Sequence, residues 1–197
     1  MLNNLQNTNF KSKIIVSKNC FNSKPLLELK QQGKYVGFPW TMEQAKFFNE
    51  EGYTDNVGVC TAGILKQKGG DKFFLFHLIP SCDWEEVEKG LKGVCEAFKK
   101  TGKDIESFLI GGWIYKDMGM EEGINIVNLF QNLGVKTTAL FGQKNFGGSA
   151  LHYSLPKDEA TIIFNDCNTV TDVNELKKPF SKIILGDCDS FEFEGKF

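Results

Sequence analysis

Two histidines, His77 and His152, and six cysteines, Cys20, Cys60, Cys82, Cys95, Cys167 and Cys188, are the side chains with the most to offer nucleophilic or metal chemistry. A cysteine hydrolase needs a thiolate, a base that takes its proton, a group that orients the base, and N–H donors for the oxyanion. With so few imidazoles, every thiol–base pairing can be enumerated. Cys60 follows Gly58, where a missing side chain lets backbone N–H groups come close to a substrate. His77 follows beyond a Gly-Gly turn. Thr54 precedes the cysteine and can accept a hydrogen bond from the ring nitrogen of His77 turned away from the thiol. Spacing alone leaves two readings of His77 open: a catalytic base, or a buried imidazole between Phe76 and Leu78 satisfied by backbone.

The other candidates read more plainly. No C-x-x-C pair is present, so a zinc ribbon is not expected. Cys95 falls on an apolar helical stripe and is expected in the core. His152, in Leu151-His152-Tyr153, is expected to face the surface or to bond locally. Cys188 lies between Asp187 and Asp189 and reads as part of an edge turn rather than as a metal ligand. Trp84 and Trp113 read as core or rim packing, or as the wall of a substrate cleft.

The elements that must position Cys60 and His77 follow from the pattern around them. Val57 to Leu65 is apolar and small, Lys68-Gly69-Gly70-Asp71 is a turn, and Phe73 to Ile79 is apolar at both parities. Two strands buried on both faces and joined as an antiparallel hairpin fit this best. The hairpin sets the start of the first strand beside the end of the second, bringing Cys60 toward His77. Upstream, Thr41-Met42-Glu43-Gln44 has the form of a capping box and predicts a short helix over about 42–51. Downstream, Asp83 is an N-cap for a helix carrying Val87, Leu91, Val94, Cys95 and Phe98. A strand over 107–115 interrupted by Gly111-Gly112, a helix over 121–133 and a strand over 135–141 form a βαβ-like unit. Short strands are expected at 150–155, 161–164 and 182–185, and 187–197 as an edge strand or frayed end. Residues 1 to about 33 are polar apart from Lys13-Ile14-Ile15-Val16, a candidate strand, and Leu26-Leu27-Glu28-Leu29. The division expected is an N-terminal extension over 1–52, partly irregular with one short helix, and a main domain over 53–197. The fold class is α+β, a layered sandwich of mixed and antiparallel sheets with flanking helices.

Composition narrows the function. At 197 residues the chain can bury one sizeable core, and 41% apolar with 24% charged residues is ordinary for a globular protein. Eighteen phenylalanines against 4 tyrosines and 3 tryptophans suit a packed core better than a base-stacking surface. A net charge of -2 and a pI near 5.8 offer no basic field for nucleic acid. Neither a signal peptide nor an apolar run long enough to span a membrane is evident, so membrane insertion is not expected. Irregularly spaced thiols fit a reducing compartment and a cytoplasmic location, with secretion as an effector lacking a classical signal left open.

Thr54-x5-Cys60-x16-His77, set in TDNVGVCTAGILKQKGGDKFFLFHLIP, resembles the chemoreceptor glutamine deamidase family, CheD. That family's motif is a threonine, a G-S-C turn and strand, a Gly-Gly turn, and a strand end like H-x-x-L-P. The likeness continues through Phe108-Leu109-Ile110-Gly111-Gly112, the helix containing Asn125 and ending in LFQNLGV, and Asn145-Phe146-Gly147, and covers roughly residues 52–165. The resemblance implies a CheD-like sandwich with Cys60 as nucleophile, His77 as base, Thr54 orienting His77, and the backbone N–H groups of Val59 and Cys60 as oxyanion donors. It implies hydrolysis of a protein glutamine to glutamate through a thioester, with no cofactor and no metal. The implied partners are a protein with an exposed glutamine, chemoreceptor-like or host-derived, and a CheC-like phosphatase. Cytotoxic-necrotizing-factor deamidases share the broader fold and the Cys/His logic. Val59 stands where the family has serine, and its acidic and arginine positions are not evident near Leu140–Ser149. Two alternatives belong beside this reading. One is a noncatalytic CheD-like module that docks a receptor or a CheC-like partner. The other is the YfiH/laccase-type purine-processing family, whose A-D-C-x-P and H-A-G-W-R-G signatures are absent.

Overall fold

A computed structural model of the chain describes residues 13–17, 24–37, 45–111, 120–141, 149–164 and 193–196. These form ten strands and three helices: β1 (Lys13–Ser17), α1 (Lys24–Gln31), β2 (Lys46–Phe48), β3 (Glu51–Val57), β4 (Thr61–Gln67), β5 (Phe73–Leu78), α2 (Trp84–Lys99), β6 (Ile105–Gly111), α3 (Met120–Asn132), β7 (Lys136–Phe141), β8 (Ser149–Ser154), β9 (Glu159–Phe164) and β10 (Phe193–Lys196). The class is mixed α+β. The strands make two five-stranded sheets, ordered β10-β1-β9-β8-β3 and β2-β5-β4-β6-β7, called sheets A and B below.

The expected hairpin is present. Thr61 pairs with Leu78 and Lys66 with Phe73, and both strands are buried throughout. Gly69, at φ +62, supplies the left-handed residue that its turn requires. Because side chains alternate, the apolar runs of β4 and β5 serve two cores at once. Ala62, Ile64, Phe73 and Leu75 face sheet A, where they meet Leu151, Tyr153 and Ile162. Leu65, Phe74 and Phe76 face the other way, onto Leu91 and Phe98 of α2 and Phe130 of α3. Full burial of each such phenylalanine stabilises the fold by about 1.5–3 kcal/mol. A third cluster sets Leu26 and Leu29 of α1 against Tyr53, Ala150 and Ile163 on the outer face of sheet A.

Helix α2 begins where Asp83 predicts. The Asp83 carboxylate accepts from the Glu85 N–H at 2.9 Å, a cap worth about 1 kcal/mol. The βαβ reading also holds: β6 and β7 are parallel neighbours joined through α3.

The N-terminal third differs from the expectation. Residues 46–48 are a strand rather than part of a helix over 42–51, and β3 begins at Glu51. The phenylalanines explain the difference. β2 pairs with β5, so Phe47 packs on Phe74 at 5.0 Å and Phe48 stacks on Phe73 at 5.5 Å, contacts a helix would forgo. Among the described residues of this region, the helix lies over Lys24–Gln31 instead. Nor are residues 13–17 an appendage: β1 lies between β9 and β10, parallel to both, with Ile14 and Ile15 buried. The expected 182–185 strand and the Asn145-Phe146-Gly147 segment lie outside the described residues.

Candidate functional site

The run Val57–Leu65 reads as one strand in sequence, but the chain changes sheets within it. β3 belongs to sheet A and β4 to sheet B, and Gly58, Val59 and Cys60 form the bend between them. The pairing of β3 with β8 slips between Thr54 and Val57, and Asn56 there takes a left-handed φ of 57. The Gly58 N–H donates to the Asn56 carbonyl at 2.9 Å. Such a bulge bends its strand and re-aims the residues that follow it.

Thr54 and His77 approach from opposite sheets. Thr54 pairs with Leu151 on the inner face of sheet A, and His77 with Ala62 on the inner face of sheet B. Both are fully buried, and Thr54 Oγ1 lies 2.7 Å from His77 Nδ1 in a hydrogen bond. Cys60 is not directly opposite His77, because Ala62 holds that register and Cys60 precedes it by two positions. Gly111 packs against the bend so closely that a Cβ there would fall 2.3 Å from the Cys60 carbonyl oxygen. Only glycine leaves the Cys60 backbone in place.

Burial sets the protonation of both groups. Cys60 is 7% exposed, and desolvation pushes its thiol up to about 11. A hydrogen bond from the Gly58 backbone opposes that rise, and the nearby Cys82 thiol adds to it. Burial lowers His77 to about 3. At neutral pH the resting pair is therefore thiol and neutral imidazole, not thiolate and imidazolium.

The bend lies at one end of sheet B. Thr61 pairs with Gly111, so Cys60 sits at the carboxyl ends of the parallel strands β6 and β7, where open α/β sheets place their ligands. A cavity of about 170 Å³ lies at this end, lined by Ile79, Cys82, Trp84, Glu122 and Asn125 among others. Trp84 thus lines a cleft as well as packing at its rim; Trp113 lies outside the described residues. Burial raises the Glu122 carboxyl, and its Oε2 is sheltered without a hydrogen-bond partner among the described residues.

Sequence reasoning missed both this cavity and a second polar cluster between the sheets. Lys66 Nζ lies 2.6 Å from Asp158 Oδ1 and 3.7 Å from Glu106 Oε2, and the Tyr153 hydroxyl donates to Asp158 Oδ1 at 2.6 Å. The parity of β4 is the signal for the second, since Lys66 shares the inward face of Ala62 and Ile64.

The remaining candidates separate from the site. Cys95 is buried in the α2 core as expected. His152 sits half-buried on β8 between Tyr53 and Thr161, at the parity opposite to the inward-facing Leu151 and Tyr153. Cys20, Cys167 and Cys188 lie outside the described residues. Among the described residues no group of three His, Cys, Asp or Glu is placed to hold a metal ion, and no helix is long and apolar enough to cross a membrane. No protein-family model matches this chain, and no curated protein matches it in sequence.

Proposed function

We propose that this protein is a cysteine-dependent protein-glutamine deamidase with a CheD-like fold. The observation that carries this reading is the Thr54–His77 hydrogen bond, made across two sheets beside the bend that holds Cys60. An imidazole satisfied by backbone alone would need no partner from the other sheet.

The neutral resting pair sets the order of steps. The Nδ1–H of His77 donates to Thr54 Oγ1, which leaves Nε2 as the base. Nε2 takes the Cys60 proton as Sγ attacks the glutamine carboxamide carbon. The oxyanion that forms is held by the N–H groups of Val59 and Cys60. The tetrahedral species collapses as the imidazolium protonates the departing nitrogen, releasing ammonia and leaving a thioester. Water, deprotonated by His77, attacks the thioester, and collapse returns the proton to Cys60 and releases glutamate. No group in this cycle is an ion before substrate binds, so proton transfer accompanies attack instead of preceding it.

The test is peptide mass spectrometry of candidate helical substrates, beginning with chemoreceptor segments. A gain of about 1 Da at glutamine with the wild type, absent with Cys60→Ala, is the expected result. The deep burial of Cys60 and its raised pKa favour a second reading, a noncatalytic module docking a receptor or a CheC-like partner. Binding of such a partner without any mass change, equally in wild type and Cys60→Ala, would establish that reading instead.

A further inference from the structure

A cavity at the Cys60 end of sheet B, whose lining includes neither Cys60 nor His77, is built from two helix starts and one loop. Trp84 opens α2, Glu122 and Asn125 lie in the first turns of α3, and Ile79 and Cys82 belong to the connection after β5. The β4–β5 register places Ile79 next in line to face Cys60, because Thr61 is already opposite Leu78. The electrostatic influence of Cys82 on Cys60 is a second sign that the cavity adjoins the bend. The lining mixes apolar walls with few polar groups, the composition of a small-ligand site.

Glu122 is the group that needs an explanation. The half-buried carboxyl takes one hydrogen bond from its own backbone, while Oε2 is a sheltered acceptor with no hydrogen-bond partner among the described residues and is open to a donor from a ligand. Asn125, one turn further along α3, adds an amide that can both donate and accept. A carboxamide brings what this pair lacks, two N–H donors and one carbonyl acceptor without net charge. A carboxylate brings only acceptors and a like charge.

We propose that this cavity is the carboxamide-selecting pocket of the Cys60 site, with Glu122 as its specificity residue. Glu122 accepts an N–H of the glutamine side chain and repels the glutamate that hydrolysis leaves. The pocket thereby distinguishes substrate from product by charge and speeds product release. This inference rests on the deamidase reading, and its test is separable from that reading.

The experiment uses the full chain carrying Cys60→Ala, so that no turnover competes, and follows alkylation of the cavity's own Cys82 by iodoacetamide with peptide mapping. N-acetylglutamine N-methylamide should slow labelling of Cys82 and N-acetylglutamate N-methylamide, which has no primary carboxamide, should not. Glu122→Gln should weaken the glutamine protection about tenfold, the loss expected for one charge-assisted hydrogen bond. Glu122→Asp should retain part of it. Glu86→Gln, which removes another charge acting on Cys82 from the surface of α2, should leave it unchanged. Absence of glutamine protection, equal protection by the glutamate analogue, or full protection in Glu122→Gln would overturn the proposal. Glutamine conversion by the wild type without Cys82 protection would count against this pocket alone. Protection without conversion would count against the deamidase reading and leave the pocket.

Discussion

Between the two sheets lie two buried polar clusters of opposite character. At one end of β4, His77 of sheet B meets Thr54 of sheet A through a single neutral hydrogen bond. Four residues along β4, roughly 13 Å at the ordinary strand rise, Lys66 and Glu106 of sheet B meet Tyr153 and Asp158 from the β8–β9 hairpin. The second cluster is ionic: the buried Lys66 ammonium lies between the buried Glu106 carboxylate and the half-exposed Asp158 carboxylate, so opposite charges face one another where they leave water. The first holds two titratable groups that burial drives away from ionisation. Charge is compensated at the Lys66 cluster and absent at His77 and Cys60, where the proposed reaction moves a proton.

That contrast predicts different responses to substitution. The largest expected effect is on chemistry: His77→Gln should slow glutamine conversion by about 10²–10⁴-fold with the fold retained by circular dichroism, the usual contribution of a positioned base. Retention of the wild-type rate would remove His77 from the mechanism. At the other cluster, Lys66→Met leaves Glu106 buried beside an apolar side chain, and should cost about 3–5 kcal/mol in urea unfolding. A cost well under that figure would mean the cluster does not hold the sheets together.

Next in size is Thr54→Val, which deprives Nδ1 of its partner and should cost about 1–3 kcal/mol of stability. Thr54→Ser should recover most of that loss and restore the pH–rate profile, a rescue that packing alone would not produce. A separate effect, read as a slope with pH rather than as a fixed loss, falls on the acid limb of stability. Between pH 6.5 and about 3 the unfolded chain takes up a proton at His77 that the folded chain refuses. The stability present above pH 6.5 is therefore lost as pH falls through that window, by at most about 1.4 kcal/mol per pH unit. Equilibrium unfolding of wild type and His77→Gln across this range should show the extra slope only in the wild type.

The sequence was most legible where local pattern and tertiary environment agree. The β4–β5 hairpin followed from two apolar runs around Gly69-Gly70, and α2 from Asp83 and its apolar stripe. The threonine-to-histidine contact was read from the place of Thr54 ahead of Cys60 and from the family resemblance, since Thr54 lies outside the hairpin. The failures share a cause. Val57 to Leu65 is uniformly small and apolar, so nothing marks the point where the chain leaves sheet A for sheet B. Thr41 to Gln44 carries a helix signal, yet Phe47 and Phe48 are claimed by an open edge of β5. β1 reads as peripheral because its neighbours, β9 and β10, lie far along the chain. The Glu122 pocket was invisible because it exists only where α2 and α3 begin at the same end of sheet B. From sequence alone, Glu121 and Glu122 are simply the first turn of a helix.

The division of the strands between the two sheets has a consequence for how the molecule comes together. Every strand of sheet B comes from residues 46–141, whereas sheet A gathers β1, β3, β8, β9 and β10 from stretches scattered between residues 13 and 196. Contacts close in sequence form before distant ones, because distant ones carry the greater loop-closure entropy. Sheet B, with His77 in place, is thus the earlier scaffold, and sheet A closes over it with Thr54. On that order the Thr54–His77 hydrogen bond is a late event in folding, and partly folded chains hold His77 in sheet B without its partner from sheet A.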